Sequence, residues 1–309
     1  MAYCREGNRG RPSESTRRWH PGGVGLAAAM LAVVAACGGD AAPGDDAAVM
    51  ADQTQRTTLI ELWSEGVPAF GIFVPSEGEP GARGADGERL PPVYTAAGGE
   101  RLASNELLDY AFLNLEGLYD PAAVEAIAEG MGRVETDRET TLLVRIPPIS
   151  EDGLETTRQR IAESLAAGAD GIVLPHVRSP EEARDAVGIF QELGVDVWSP
   201  ANPDGTVIAM FMVEDPGALA AVEEIADVPG YSVLACGIGS LTRALGDGEA
   251  GEAGNQEVLR QAKRVGLPDM ITANGADVAE RIDQGFLGLL MNGPDADEHI
   301  EIGRAAAGR

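Results

Sequence analysis

The sequence predicts an α/β fold built on a parallel sheet, and within that class a (β/α)8 barrel. Three observations lead there. From residue 58 onward, short apolar runs alternate with amphipathic stretches, the pattern of successive βα units. The apolar runs number eight. A chain of 309 residues with a 44% hydrophobic share is long enough for one complete barrel core plus a tail. Alternation alone fits an open doubly wound sheet as well; eight is the barrel number.

Taken in order, the expected strands are 69–74 (AFGIFV), 110–115 (YAFLNL), 141–146 (TLLVRI), 171–174 (GIVL), 207–213 (VIAMFMV), 232–236 (SVLAC), 270–273 (MITA) and 286–291 (FLGLLM). Between them the helical periodicity is clearest over 121–130, 154–167, 180–193, 216–225, 256–265 and 276–284. Ser179-Pro180 followed by Glu181 and Glu182 is helix-start chemistry, with the acids where the helix dipole favours negative charge. Two connections exceed what folding requires. Residues 76–104, rich in Gly and Pro, follow the first strand, on the face where a barrel keeps its chemistry, and read either as a lid or as a surface insertion. Residues 195–206 precede the fifth strand.

The first 56 residues have a different character. Five arginines lie within residues 1–22, then 24–36 (VGLAAAMLAVVAA) forms an apolar run that stops at Cys37. That order is a secretory signal; a spanning helix needs about 20 apolar residues. Val34-Ala35-Ala36-Cys37 resembles the lipobox of bacterial lipoproteins, which implies lipidation of Cys37. The expected organisation is therefore a signal peptide over 1–36, a small, acidic, flexible tether over 37–56, and the barrel over 57–309. The expected location is outside the cytoplasm, lipid-anchored to the cell envelope and facing the periplasm or the exterior.

The formal charge is −27. Such a surface repels phosphate and offers few basic contacts, so nucleic acid is excluded as a partner, and membrane contact is expected through the lipid alone. Lysine occurs once, at Lys263, on a surface-helix pattern, which argues against Schiff-base chemistry needing a buried lysine of lowered pKa. Of the histidines, His20 lies in the leader, leaving His176 and His299. Cys4, Cys37 and Cys236 show no metal-ligand spacing, and Cys236, at the end of an apolar run, reads as core.

The chemistry-bearing residues gather where strands end. Residues 109–117 (DYAFLNLEG), 143–147 (LVRIP), 168–177 (GADGIVLPHV) with Glu181-Glu182-Ala183, 210–215 (MFMVED) and 225–230 (IADVPG), and the turn 237–242 (GIGSLT) together resemble the HpcH/HpaI aldolase/citrate lyase family over almost all of 58–309. The resemblance implies a TIM barrel of the phosphoenolpyruvate/pyruvate type. It also implies a lyase activity that makes or breaks a C–C bond in a 2-oxo or hydroxy acid through a pyruvate enolate, assisted by Mg2+ or Mn2+. Within it Glu214 falls on the metal glutamate, Arg145 on the substrate arginine, Glu116 on the second-strand glutamate, and Gly237-Ile238-Gly239 on the carboxylate-binding turn. Without the resemblance, Arg145 also reads as a barrel-interior ion pair and Glu214 as a cap of the next helix. Assembly into homo-oligomers through C-terminal helices is implied as well. A lyase for CoA thioesters ranks last, since an exported protein rarely meets CoA.

Two departures lie in the chemistry itself. Ser240 stands where the family places an aspartate as second metal ligand, and Gly117 where it places a base histidine. Asn114 stands where an aspartate is common. His176 at the fourth strand's end offers a substitute imidazole, or is structural, and Glu116 offers a second carboxylate if it approaches Glu214. Asp215, next to Glu214 on a strand, is expected to face away. The alternative function is a catalytically degenerate barrel that binds a small carboxylate.

Overall fold

The computed structural model describes residues 58–309, save Pro80, Asp86, Arg89 and Asp137. The signal, the tether and Cys37 lie outside the described residues. No helix among the described residues is long and apolar enough to cross a membrane.

Eight parallel strands follow one another in register: β1 (Ala69–Phe73), β2 (Tyr110–Asn114), β3 (Thr141–Arg145), β4 (Gly171–Leu174), β5 (Ile208–Val213), β6 (Val233–Cys236), β7 (Met270–Thr272) and β8 (Gly288–Met291). The hydrogen-bonded order is β6-β5-β4-β3-β2-β1-β8-β7. The β6–β7 seam carries a single backbone bond, from Leu234 N to Pro268 O at 3.3 Å. This is a nearly closed (β/α)8 barrel, as the eight apolar runs predict.

Alternation along the strands divides the core in two. Phe112, Leu143, Val173, Ile208, Met210, Met212, Val233, Ala235, Met270 and Leu290 fill the barrel interior. Their immediate neighbours, such as Leu113, Val144, Ile172, Phe211, Val213 and Cys236, pack outward under the helices. Cys236 is thus the core residue expected, and burial pushes its thiol pKa up. Because side chains alternate with period two, the parity that sends Met210 and Met212 inward also sends Glu214 inward, and that of Leu143 carries Arg145.

A helix that the sequence reading did not separate, α1 (Thr58–Ser64), plugs the N-terminal end of the barrel. Its Leu59, Ile60 and Trp63 join the interior cluster. Trp63 Nε1 donates to Leu287 O at 2.9 Å, and its ring stacks 6.4 Å from Trp198. Trp198 lies on the 195–206 connection, which belongs to this floor. The buried Asp109, just before β2, accepts from Phe70 N at 2.8 Å and from both Nη atoms of Arg309. Arg138 and Arg304 pair with the same carboxylate.

The connection after β1 differs from the expectation. Toward its end lies a regular eight-residue crossover helix, α2 (Ala96–Ala103), packed closely on α3 (Pro121–Met131). A Cβ on Gly130 would lie 1.9 Å from Ala96 O, so glycine there is demanded by the crossing distance. The preceding stretch is tied to α2 through Glu77, which accepts from Thr95 and Arg101. None of its described residues lines the cavity at the strand ends.

The remaining helices are α4 (Ile149–Ala166), kinked at Gly153 with φ 74°, α5 (Pro180–Glu192), α6 (Pro216–Ala220), α7 (Val222–Ala226), α8 (Ile238–Leu245), α9 (Gly248–Val265), α10 (Val278–Gln284) and α11 (Ala296–Ala306). The helix expected over 216–225 is broken into α6 and α7 at Ala221. At α5, Ser179 Oγ accepts from Glu182 N, and the Glu182 carboxylate reaches back to Arg178 N at 2.7 Å, a reciprocal arrangement close to a capping box.

Candidate active site

At the C-terminal end of the barrel the strand ends bring four functional side chains together. Arg145 Nη2 lies 3.1 Å from both oxygens of Glu214 and 2.9 Å from Glu116 Oε2. His176 Nε2 lies 2.8 Å from Glu214 Oε2 and 3.2 Å from Glu116 Oε1. Arg145, Glu116, His176 and Glu214, named from the sequence separately, therefore form one centre.

Each is placed by a local device. Glu214 continues the inward parity of β5 and is 2% exposed. Burial holds its carboxyl above the ordinary glutamate pKa, against the pull of Arg145 and His176; the nearby Glu116 adds to the rise. Glu116 is turned inward by Asn114, whose Oδ1 accepts from Glu116 N at 3.2 Å, an Asx turn. His176 has φ 52°, the one positive φ outside glycine among the described residues. That conformation turns both its backbone N–H and its ring toward the Glu214 carboxylate. Side chains held in this region commonly mark functional sites.

Asp215 faces away, as parity requires, and caps α6 by accepting from Gly217 N and Ala218 N at 2.8 and 2.9 Å. The capping role considered for Glu214 belongs to Asp215.

Beside Glu214 opens a cavity of about 240 Å3, floored by Phe73, Phe112, Met212, Met270 and Leu290 and rimmed by Arg145, Gly237, Gly239, Ser240, Arg243 and Thr272. Gly237 has a role the sequence did not reveal: a Cβ there would lie 1.9 Å from Glu214 Oε1. Its N–H donates to Val213 O at 3.0 Å, so it is not a donor to a ligand. The first helical bond of α8 runs from Leu241 N to Gly237 O. The N–H groups of Ile238, Gly239 and Ser240 thus belong to the free first turn that suits an anion. The free N–H groups of this turn are therefore those of Ile238, Gly239 and Ser240, and Gly237 is not among them. Gly239 is exposed and Ser240 half-buried on this rim.

Arg243 was missed by sequence reasoning. It lies four residues after Gly239 on α8, and helical periodicity from the glycine turn was the available signal.

Glu116, His176 and Glu214 each offer a ligand atom, all within 4.8 Å of one another. Two carboxylates and an imidazole are a suitable donor set for a divalent cation. Ser240 contributes only a neutral hydroxyl.

A comparison with curated proteins gives no match. Among solved structures the fold is shared with an HpcH/HpaI aldolase/citrate lyase family protein from Burkholderia cenocepacia J2315. That likeness has 20% identity and TM-score 0.58, over 81% of this chain and 97% of that one. The HpcH/HpaI aldolase from Desulfitobacterium hafniense DCB-2 is similar at 18% identity and TM-score 0.56, over 81% and 95%. The citrate lyase beta subunit complexed with oxaloacetate and magnesium from M. tuberculosis is similar at 17% identity and TM-score 0.51, over 78% and 97%. The model of the HpcH/HpaI aldolase/citrate lyase family matches residues 121–279, a span that runs from α3 into α10 and includes Arg145, His176, Glu214 and the α8 turn. The barrel, the strand-end centre and this match agree, and the chain belongs to the HpcH/HpaI aldolase/citrate lyase family.

Proposed function

We propose that the protein is a carbon–carbon lyase of the aldolase type, acting on a small 2-oxo or hydroxy acid. The observation that carries this reading is the convergence of Arg145, Glu116, His176 and Glu214 beside a cavity whose rim presents free backbone N–H groups. The citrate lyase beta subunit named above binds oxaloacetate and magnesium, chemistry that fits a site of this composition.

The Ile238–Ser240 N–H groups receive a substrate carboxylate at the helix N-terminus. Arg145 directs its guanidinium toward the developing oxyanion. His176 Nε2, set between the carboxylates of Glu116 and Glu214, fixes their orientation at the cavity edge. Mg2+ or Mn2+ held by Glu214 and its neighbours would supply Lewis-acid polarisation of a carbonyl. The apolar floor, with Phe112 and Met212, limits water around the reacting carbon.

The test is exchange of the pyruvate methyl protons with deuterium oxide, followed by NMR. Exchange that depends on Mg2+ or Mn2+ and disappears in Arg145→Gln supports the lyase. No exchange with either metal rejects it.

A second reading, a barrel that binds a small carboxylate without turnover, is favoured by Ser240 and Gly117 standing at the ligand and base positions. A Cβ on Gly117 meets nothing within 4 Å, so Ser240→Asp with Gly117→His is sterically open there. Activity gained by the double variant and absent from the parent selects this reading, and an active parent rejects it.

We further propose export and attachment to the envelope by a lipid on Cys37, supported by the lipobox. Metabolic labelling with an alkyne fatty acid checks it: label is expected on the parent and not on Cys37→Ser. Label on both overturns it.

A further inference from the structure

The acid pair that the family resemblance leads one to expect, Glu214 with a carboxylate at position 240, is broken by Ser240. A hydroxyl neutralises none of a dication's charge and is a weak ligand for it. Two other ligand-bearing side chains stand against Glu214. Glu116 comes in from the loop after β2, and His176 from the end of β4. Among the described residues these three form the one group of His, Cys, Asp or Glu side chains whose ligand atoms converge within 4.8 Å. The His176 backbone is held at φ 52°, a conformation that costs a non-glycine residue of order 1 kcal/mol or more. What it achieves is to aim the ring Nε2 at both carboxylates.

The chemistry of this set differs from an all-oxygen site. Mg2+ prefers a regular octahedron of oxygens and gives up water reluctantly. An imidazole nitrogen favours first-row transition cations, whose affinity for mixed N/O sites exceeds that of Mg2+. We propose that the cation centre of this protein is Glu116–His176–Glu214, with His176 Nε2 as a direct ligand, and that it selects Mn2+ and later first-row cations over Mg2+. The inference rests on the lyase reading for its relevance to turnover, but its test does not use activity.

The full chain is titrated with Mn2+ and followed by electron paramagnetic resonance, with electron spin echo modulation used to detect coordinated 14N. The expected result is one tightly held Mn2+ with a directly bonded imidazole nitrogen, displaced by Mg2+ only at concentrations at least about tenfold higher. The nitrogen coupling is lost in His176→Gln and kept in His299→Gln. Should His176→Gln fail to fold, the coupling in the unmodified chain and its weakening in Glu116→Gln decide the matter. A bound Mn2+ without nitrogen coupling, matched in affinity by Mg2+, overturns the inference and leaves the lyase reading standing. No bound Mn2+ at millimolar concentration overturns the inference together with the metal-assisted part of that reading.

Discussion

Replacing Arg145 by methionine tests the electrostatics of the centre directly. Glu214 is 2% exposed, and Arg145 contacts both of its oxygens at 3.1 Å. Removing one partner of a buried ion pair while the other stays charged costs about 3–5 kcal/mol. His176, 2.8 Å from the same carboxylate, places the expected loss toward the lower end, about 3 kcal/mol. For a domain of this size that is a fall in Tm of roughly 6–12 °C. Glu214→Gln in the Arg145→Met background removes the stranded charge, so the double variant is expected to recover most of the loss. The pH dependence has a definite sign. Burial already raises the Glu214 pKa in the folded state, so the folded protein binds the extra proton and stability falls as pH rises above the ordinary glutamate value of 4.5. Without Arg145 the folded pKa rises further, which extends that fall to higher pH. The deficit of Arg145→Met is therefore larger at pH 8 than at pH 5. Urea unfolding followed by circular dichroism measures all three quantities. A deficit under about 1 kcal/mol at pH 8, with no coupling to Glu214→Gln, refutes the reasoning.

Gly237→Ala forces a Cβ to within 1.9 Å of Glu214 Oε1. It is expected to cost about 1–3 kcal/mol and to weaken Mn2+ binding, as calorimetric titration would show. Asp170, whose Oδ2 accepts from Leu142 N at 2.7 Å, has its pKa raised by burial to about 7. It is expected to lower stability as pH climbs from about 4 to about 7 and to have no further effect above that. Because part of Asp170 stays open to solvent, the amplitude is modest; urea midpoints across that window should be flatter in Asp170→Asn. Trp63→Ala removes the ring that plugs the barrel floor against Trp198 and is expected to cost about 3–5 kcal/mol, read from the same unfolding curves.

The strands were legible because a barrel strand is buried on both faces and reads as a short apolar run. Their ends were over-read by a residue or two where Phe286 and Leu287 continue the apolar character through a turn. The helix α2 was hidden by Gly98 and Gly99 in its sequence AAGGERLA. The same small residues let it approach α3, so tertiary packing overrides a poor helix propensity. Arg145 and Glu214 could be placed from strand parity alone. The meeting of Glu116 with His176 could not, because it depends on an Asx turn at Asn114 and on a left-handed backbone at His176, neither of which carries a periodic signal. For Gly237 the sequence offered the residue but not the reason. The glycine makes room for the Glu214 carboxylate, and the free N–H groups belong to the residues after it.

The most direct test is a crystal grown with Mn2+ and oxalate, examined by anomalous scattering at the manganese edge. The account predicts one peak in contact with Glu116, His176 and Glu214, with oxalate reaching toward the Ile238–Ser240 N–H groups. A peak held between Glu214 and Ser240 with His176 turned away, or no peak at the strand ends, would contradict it.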